Sequence, residues 1–246
     1  MSVDRYDLII QAGRVFCSAT GLDGPGAVAI RGDRIEEAGP GVSGEADRIL
    51  NFPYDMVLPG LVDMHAHPAP NSWKYGVAPD VHMLPRGTTT MLSQGDAGAG
   101  NWCSYRHSII EGSNTRVRLA ISPSIFGEEP SGPVYRNLDY VDVDRCTAAI
   151  EEGGKDIWGV AINAALACTG DNDPREIMER ARVIAERTNR PILYGVRREP
   201  SDWLLAEQLE LLRSGDVVTY CFQGEDQSIV EGGKIVQPVW EARERG

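Results

Sequence analysis

Two histidines one residue apart, His65 and His67, are the residues in this chain best placed to do chemistry. They follow an apolar run, Val57-Leu58-Pro59-Gly60-Leu61-Val62, that reads as a short buried strand. Residues i and i+2 of a strand point to the same side, so both imidazoles project together from the strand end. Two neutral imidazoles at that spacing can bind one borderline divalent metal such as zinc, with Zn–N about 2.0–2.1 Å. A pair of surface histidines is the plain alternative. Two imidazoles alone hold zinc poorly, because catalytic sites usually add a third protein ligand and a water.

The elements that must position this pair are bounded first by composition. A chain of 246 residues can bury a sizeable core, as one large domain or as one domain with a small satellite. The net charge of −12, without a long basic run, argues against a nucleic-acid partner and against an anionic membrane surface. No charged-then-apolar leader and no apolar run of about 18 residues is present, so neither signal peptide nor membrane span is expected. The five cysteines (Cys17, Cys103, Cys146, Cys168, Cys221) lie far apart and form no CxxC pair. They read as free, buried structural thiols of a protein in a reducing cytoplasm.

Residues 6–52 read as a small all-β unit. YDLIIQAGRVF predicts a strand and a turn at Ala12-Gly13, and GAVAIRGDRIEEAG a hairpin turning at Gly32-Asp33. DRILNF predicts a further short strand. From Val57 onward strands alternate with helices, the pattern of βα units in a parallel sheet or barrel. Later strands are predicted at 88–94, 117–121, 158–163, 192–196 and 217–222. Helices are predicted at 79–85, 102–112, 142–153, 174–188, 201–213 and 238–244. The helix from Pro174 is best signalled. Asp173 can cap it, Pro174 suits its first position, and Ile177, Ala181, Ile184 and Ala185 keep helical spacing. Six barrel-type strands result, where a closed (β/α)8 barrel needs eight. The expectation is a fragment of a longer protein or a chain completed by another, with an open edge that favours association.

Several motifs together resemble the amidohydrolase superfamily. Leu58-Pro59-Gly60-Leu61-Val62-Asp63-Met64-His65-Ala66-His67 is similar to its metal-binding signature. The stretch GVAPDVHMLPRGTTTMLSQGDAGAGNW, with Gly87, Thr88 to Thr90 and Gly95-Asp96-Ala97-Gly98, resembles a dihydroorotase-related, deacetylase-like subgroup. GDVVTYCFQG and GGKIVQPVWEARERG also look like it. The resemblance implies an α/β fold: a TIM barrel of the metal-dependent hydrolase type over 56–246, incomplete here, and a β-sandwich piece over 1–55. It implies one or two divalent metals, zinc foremost, that activate water against a C–N bond of a small amide or cyclic amide. It also implies a bridging lysine on the fourth strand, histidines ending the fifth and sixth, and an aspartate ending the eighth.

The sequence departs from that pattern at the distal ligands. Ala161 stands where the lysine is expected, Gly195 (or, one residue off, Tyr194) at the fifth strand, and Tyr220 and Gln223 at the sixth. His65 and His67 are the ligands that carry over. Asp96 is a candidate to orient a ligand histidine, or an ordinary turn residue. Cys168 and Asp171, beyond the fourth strand, are candidate replacement ligands, or ordinary loop residues. His82 and His107 read as helical surface histidines, and Cys221 as core. Arg197 or Arg198 can reach a substrate carboxylate, or both are surface charge. The functional expectation is a metal-dependent amidohydrolase acting on a small molecule, deamination included, in a chain that is poorly soluble or a homo-oligomer. The alternative is a non-catalytic barrel serving as scaffold or assembly partner.

Overall fold

The computed structural model describes residues 5–70, 76–128, 132–224 and 228–246. The chain divides into two compact units, Met1–Gly60 and Leu61–Gly246.

The first unit is one four-stranded sheet in the order β3-β2-β1-β4. Its strands are β1 (Tyr6–Cys17), β2 (Leu22–Arg31), β3 (Arg34–Gly39) and β4 (Ala46–Val57). β2 and β3 form the expected hairpin, with Gly32 at φ +57° in the two-residue turn. The turn expected at Ala12-Gly13 does not form. β1 runs straight through it, and the pairing register shifts between Ala12 and Val15 instead. A β-carbon on Gly13 would lie 2.2 Å from the Pro53 carbonyl oxygen, so the glycine permits a bulge where two backbones approach closely. Ile9, Ala27 and Ala29 fill a small core.

The second unit is a wall of six parallel strands in the order β10-β9-β8-β7-β6-β5, curled into a nearly closed barrel. They are β5 (Leu61–Ala66), β6 (Thr88–Gln94), β7 (Arg116–Ile121), β8 (Ile157–Asn163), β9 (Ile192–Gly195) and β10 (Val217–Thr219). β6 spans the predicted residues, and β7 and β8 each begin one residue early. Two strands need correction. The first is not Val57–Val62 and is not buried: Pro59-Gly60 separates it from β4, it contains His65, and Leu61 and Val62 are exposed on the edge of the wall. The last ends at Thr219 rather than Phe222, because Tyr220 turns to φ +61°.

Between the strands lie α1 (Pro79–His82), α2 (Trp102–Tyr105), α3 (Val143–Gly153), α4 (Leu166–Thr169), α5 (Pro174–Thr188) and α6 (Leu205–Glu210). α1 is shorter than expected: Met83 closes it and a 3₁₀ turn, Leu84–Arg86, follows with Pro85 inside. α2 tightens no further but widens into a π-helical turn, Arg106–Ile110. α5 matches its prediction, with the Asp173 side chain accepting from the Arg175 amide. α6 is shorter than 201–213 because Leu204 is its extended N-cap. A small hairpin, β11 (Val230–Glu231) and β12 (Lys234–Ile235), leads into α7 (Gln237–Arg245).

Alternation along the strands sorts the core into two layers. Leu119, Ile121, Val160, Ile162, Ile192 and Tyr194 pack against the helices, with Cys146, Ile150, Ile177, Met178 and Ile184. Leu92, Ala120, Ala161 and Leu193 face the other way and line the inside of the wall. Among the described residues no helix is long and apolar enough to cross a membrane. All five cysteines are free, but only Cys146 is fully buried; Cys103 is exposed and the others are half-buried, so the expectation of five buried thiols fails. Truncating a buried helix-layer residue should unfold this unit more readily than truncating an exposed one. Ile177→Ala is expected to cost about 2–5 kcal/mol in denaturant unfolding. Val81→Ala, on a 65% exposed side chain, should change stability by less than about 0.5 kcal/mol.

Candidate functional site

In a parallel wall every strand ends at the same rim, so the residues closing the strands converge there. Stepping two residues on from the inward Ala161, Leu193 and Val217 gives Asn163, Gly195 and Thr219, which therefore also face inward, at the rim. His65 and His67 end β5 at the same rim, with ring centroids 5.6 Å apart.

Each histidine is held through Nδ1 by an oxygen from another strand. His67 Nδ1 lies 2.6 Å from Asp96 Oδ1, just past β6. Asp96 is itself fixed: its Oδ2 accepts from Ser93 Oγ at 2.8 Å, and the Tyr105 hydroxyl lies 3.5 Å away. The Asp96 side chain is 1% exposed and that of His67 13%. His65 Nδ1 lies 2.6 Å from Thr219 Oγ1, so a side-chain bond joins the first and sixth strands of the wall. Both contacts occupy Nδ1 and leave Nε2 as the nitrogen available to a metal, the arrangement by which outer partners orient ligand imidazoles. Asp96 thus holds the His67 ring and is not a simple turn aspartate.

Electrostatics separate the two rings. Burial, then the neighbouring His67 and Arg197, push His65 down to about 4, so it is neutral near pH 7. Burial also pulls His67 down, but the bond to Asp96, its charge and that of Glu128 outweigh this and leave His67 raised.

Glu128 is the residue that sequence reasoning missed. It follows β7, in a loop whose Gly127 sits at φ +72° against the Asp96–Ala97 backbone, and its amide donates to the Gly95 carbonyl at 2.8 Å. Burial raises its carboxyl to about 7, with His67 opposing and Asp96 adding to the rise. Nothing in Phe126-Gly127-Glu128 announces this, because a lone loop carboxylate carries no spacing signal.

The positions of the missing ligands are filled coherently. A β-carbon on Gly195 would meet Tyr220 Cδ2 at 2.9 Å and Asn163 Cγ at 3.4 Å, so the Tyr220 ring occupies the space a residue-195 side chain would need. Tyr220 reaches back because its backbone is left-handed, an uncommon state for a bulky residue that costs about 1–3 kcal/mol. Its ring stands edge-on to His65 at 4.5 Å, and the Arg197 guanidinium lies 4.1 Å from its centroid.

The other sequence candidates separate cleanly. His82 is exposed on α1, and His107 is 89% exposed beside Glu111. Asp171 is exposed. Cys168 lies toward the rim, but burial first, and then Glu128, push its thiol up to about 11, so it is not a thiolate. Cys221 packs against the core as expected. Arg198 pairs with Glu231 at 3.4 Å. Among the described residues no three His, Cys, Asp or Glu side chains gather closely enough to hold a metal ion. His65 and His67 therefore offer two imidazole donors, one short of the three protein ligands that catalytic zinc sites usually have. Ala161 offers no ligand, and Tyr220 fills the space over Gly195.

No family model matches the chain. It is 28% identical over 207 residues to a deacetylase of Agrobacterium fabrum, covering 82% of this chain and 50% of the deacetylase. The chain thus spans about half the length of that relative. The fold is similar to a crystal structure of an adenine deaminase, with TM-score 0.84 and 26% identity over 98% of this chain and 64% of that one. It is also similar to a dihydroorotase structure, with TM-score 0.81 and 26% identity over 97% of this chain and 62% of that one.

Two outcomes test this geometry. Gly195→His should destabilise the protein by at least about 2 kcal/mol, because it overpacks against Tyr220, and adding Tyr220→Ala should restore part of the loss. A strictly additive double-variant cycle would show that the ring does not fill that space. In histidine NMR, His65 should titrate near 4. Because the folded value lies below that of an unfolded histidine, about 6.5, its contribution to stability is full above that value. It is lost as pH falls through roughly 6.5 to 4.

Proposed function

We propose that the chain is an amidohydrolase of the deacetylase-like kind and takes part in metal-dependent hydrolysis of a C–N bond in a small amide or cyclic amide, a reading supported by its likeness to a deacetylase, an adenine deaminase and a dihydroorotase. The observation that carries this reading is the pair His65 and His67 at one strand end, each with Nδ1 held by an oxygen from another strand. A divalent ion, zinc by preference for imidazole, would be held by the two Nε2 atoms and would lower the pKa of a bound water and polarise a carbonyl.

The chain's own residues supply the rest. Asp96 fixes the ring orientation of His67 and, with Ser93, is kept in place by hydrogen bonds. Thr219 does the same for His65. Glu128, held near 7, is poised to accept or return a proton at its carboxyl oxygen at neutral pH. The partner is a small molecule, with neither nucleic acid nor membrane required. The setting is a reducing cytoplasm, in keeping with free cysteines.

A second reading has its own support. Ala161 and the Tyr220 ring over Gly195 remove three ligand positions at once, which favours a non-catalytic barrel that serves as scaffold or assembly partner. Hydrolysis separates the two. Zinc-reconstituted protein should release product from a panel of N-acetylated amines and cyclic amides. His65→Ala with His67→Ala should abolish turnover, and Asp96→Asn should lower it about 10–100-fold. Turnover by the unmodified chain no greater than by the double variant contradicts the enzyme reading and leaves the scaffold.

A further inference from the structure

Among the described residues, Arg197 is a cation at the rim without an acid to answer it. It follows β9, half-buried, and among the described residues no carboxylate lies within ion-pair distance of it. Its Nη1 donates to the neighbouring Val196 carbonyl at 3.0 Å, and its guanidinium also hydrogen-bonds the Tyr220 hydroxyl. Its neighbour Arg198, by contrast, pairs with Glu231. The Arg197 guanidinium lies against the Tyr220 ring, which itself touches His65, so it is part of the histidine cluster and not of the outer surface. An arginine stacked on an aromatic ring keeps its planar fork of donors available for a carboxylate.

A second observation at the same place also asks for a ligand. Asn163 is 7% exposed and its Oδ1 is buried without a hydrogen-bond partner. Its Cγ and the Tyr220 ring converge on one point beside Gly195. A buried acceptor left unpaired costs about 1–3 kcal/mol, and a donor on a bound molecule would relieve it. The rim therefore presents, among the described residues, a guanidinium without a carboxylate partner and an unpaired acceptor near one aromatic ring.

We propose that Arg197, stacked on Tyr220, is an anion anchor that binds a small carboxylate, with Asn163 accepting from an adjacent N–H of the same molecule. The positive charge comes from the protein itself, at strand ends where the resemblance led us to expect metal-binding histidines. The binding step needs no metal and stands whether or not the chain hydrolyses anything.

N-acetylglycine and its uncharged counterpart N-acetylglycinamide, titrated into the full 246-residue chain in chelator and followed by ligand-observed NMR, test the proposal. N-acetylglycine should bind at least tenfold more tightly than the amide. Arg197→Gln should lose at least tenfold in affinity for the carboxylate, Arg197→Lys should retain part, and Arg198→Gln should bind like the unmodified protein. Asn163→Ala should weaken N-acetylglycine more than it weakens acetate, which has no N–H. Thermal melts of each variant show whether it folds, and the comparison of carboxylate with amide on the unmodified chain needs no variant. Equal binding of the two probes, no binding of either up to 100 mM, or full affinity in a folded Arg197→Gln overturns the proposal. Carboxylate binding that persists in the His65→Ala, His67→Ala protein, with turnover absent in all forms, would sink the hydrolase reading and leave this one standing.

Discussion

The bond from His65 Nδ1 to Thr219 Oγ1 is the contact on which the site depends. β5 and β10 are the two outer strands of a six-stranded parallel wall, and a flat sheet of that width would hold them more than 20 Å apart at about 4.8 Å per strand. A 2.6 Å contact between their tips requires the wall to curl nearly shut. Curling brings β6 to β9 around a common rim, and the side chains that close those strands then face one another. His65 against Thr219 and against the Tyr220 ring are the contacts that span the two outer strands, whereas His67 on Asp96, Glu128 on the Gly95 loop and Tyr220 on Gly195 each join neighbouring strands of the wall.

Once the rim is closed, its residues cannot change independently. The Tyr220 ring needs the absence of a side chain at Gly195, and its left-handed backbone needs something to hold the ring in place. His65 on one edge and Arg197 against the ring do so. The same group of residues sets the charge of the site. Burial and Arg197 keep His65 neutral, whereas Asp96 and Glu128 draw His67 the other way. A neutral imidazole is the form able to bind a metal, and the ring nearer the cation is held in that form.

Much of this was legible in the sequence where local physics is strong. The cap at Asp173, Pro174 and the helical spacing of Ile177, Ala181 and Ile184 predict α5 to its ends. The Gly32-Asp33 hairpin and the apolar strands β6 to β8 are read with equal ease. The first barrel strand was misplaced because Val57 to Val62 is apolar throughout, and hydropathy cannot see that Pro59-Gly60 divides it. The straight passage of β1 through Ala12-Gly13 was missed because a glycine marks a bulge and a turn alike. At the site, the His65 and His67 pair is visible from spacing alone. Glu128 and the stacking of Tyr220 on Gly195 are not, since they depend on segments far apart in sequence meeting at one rim.

The measurement that bears most directly on this account is the zinc content of the protein per chain, after exhaustive dialysis against zinc-buffered solution. The closed rim, with two oriented imidazoles and no bridging residue, calls for about one ion per chain, absent when His65 and His67 are both alanine. Two ions per chain, or one ion retained without the histidines, would contradict it.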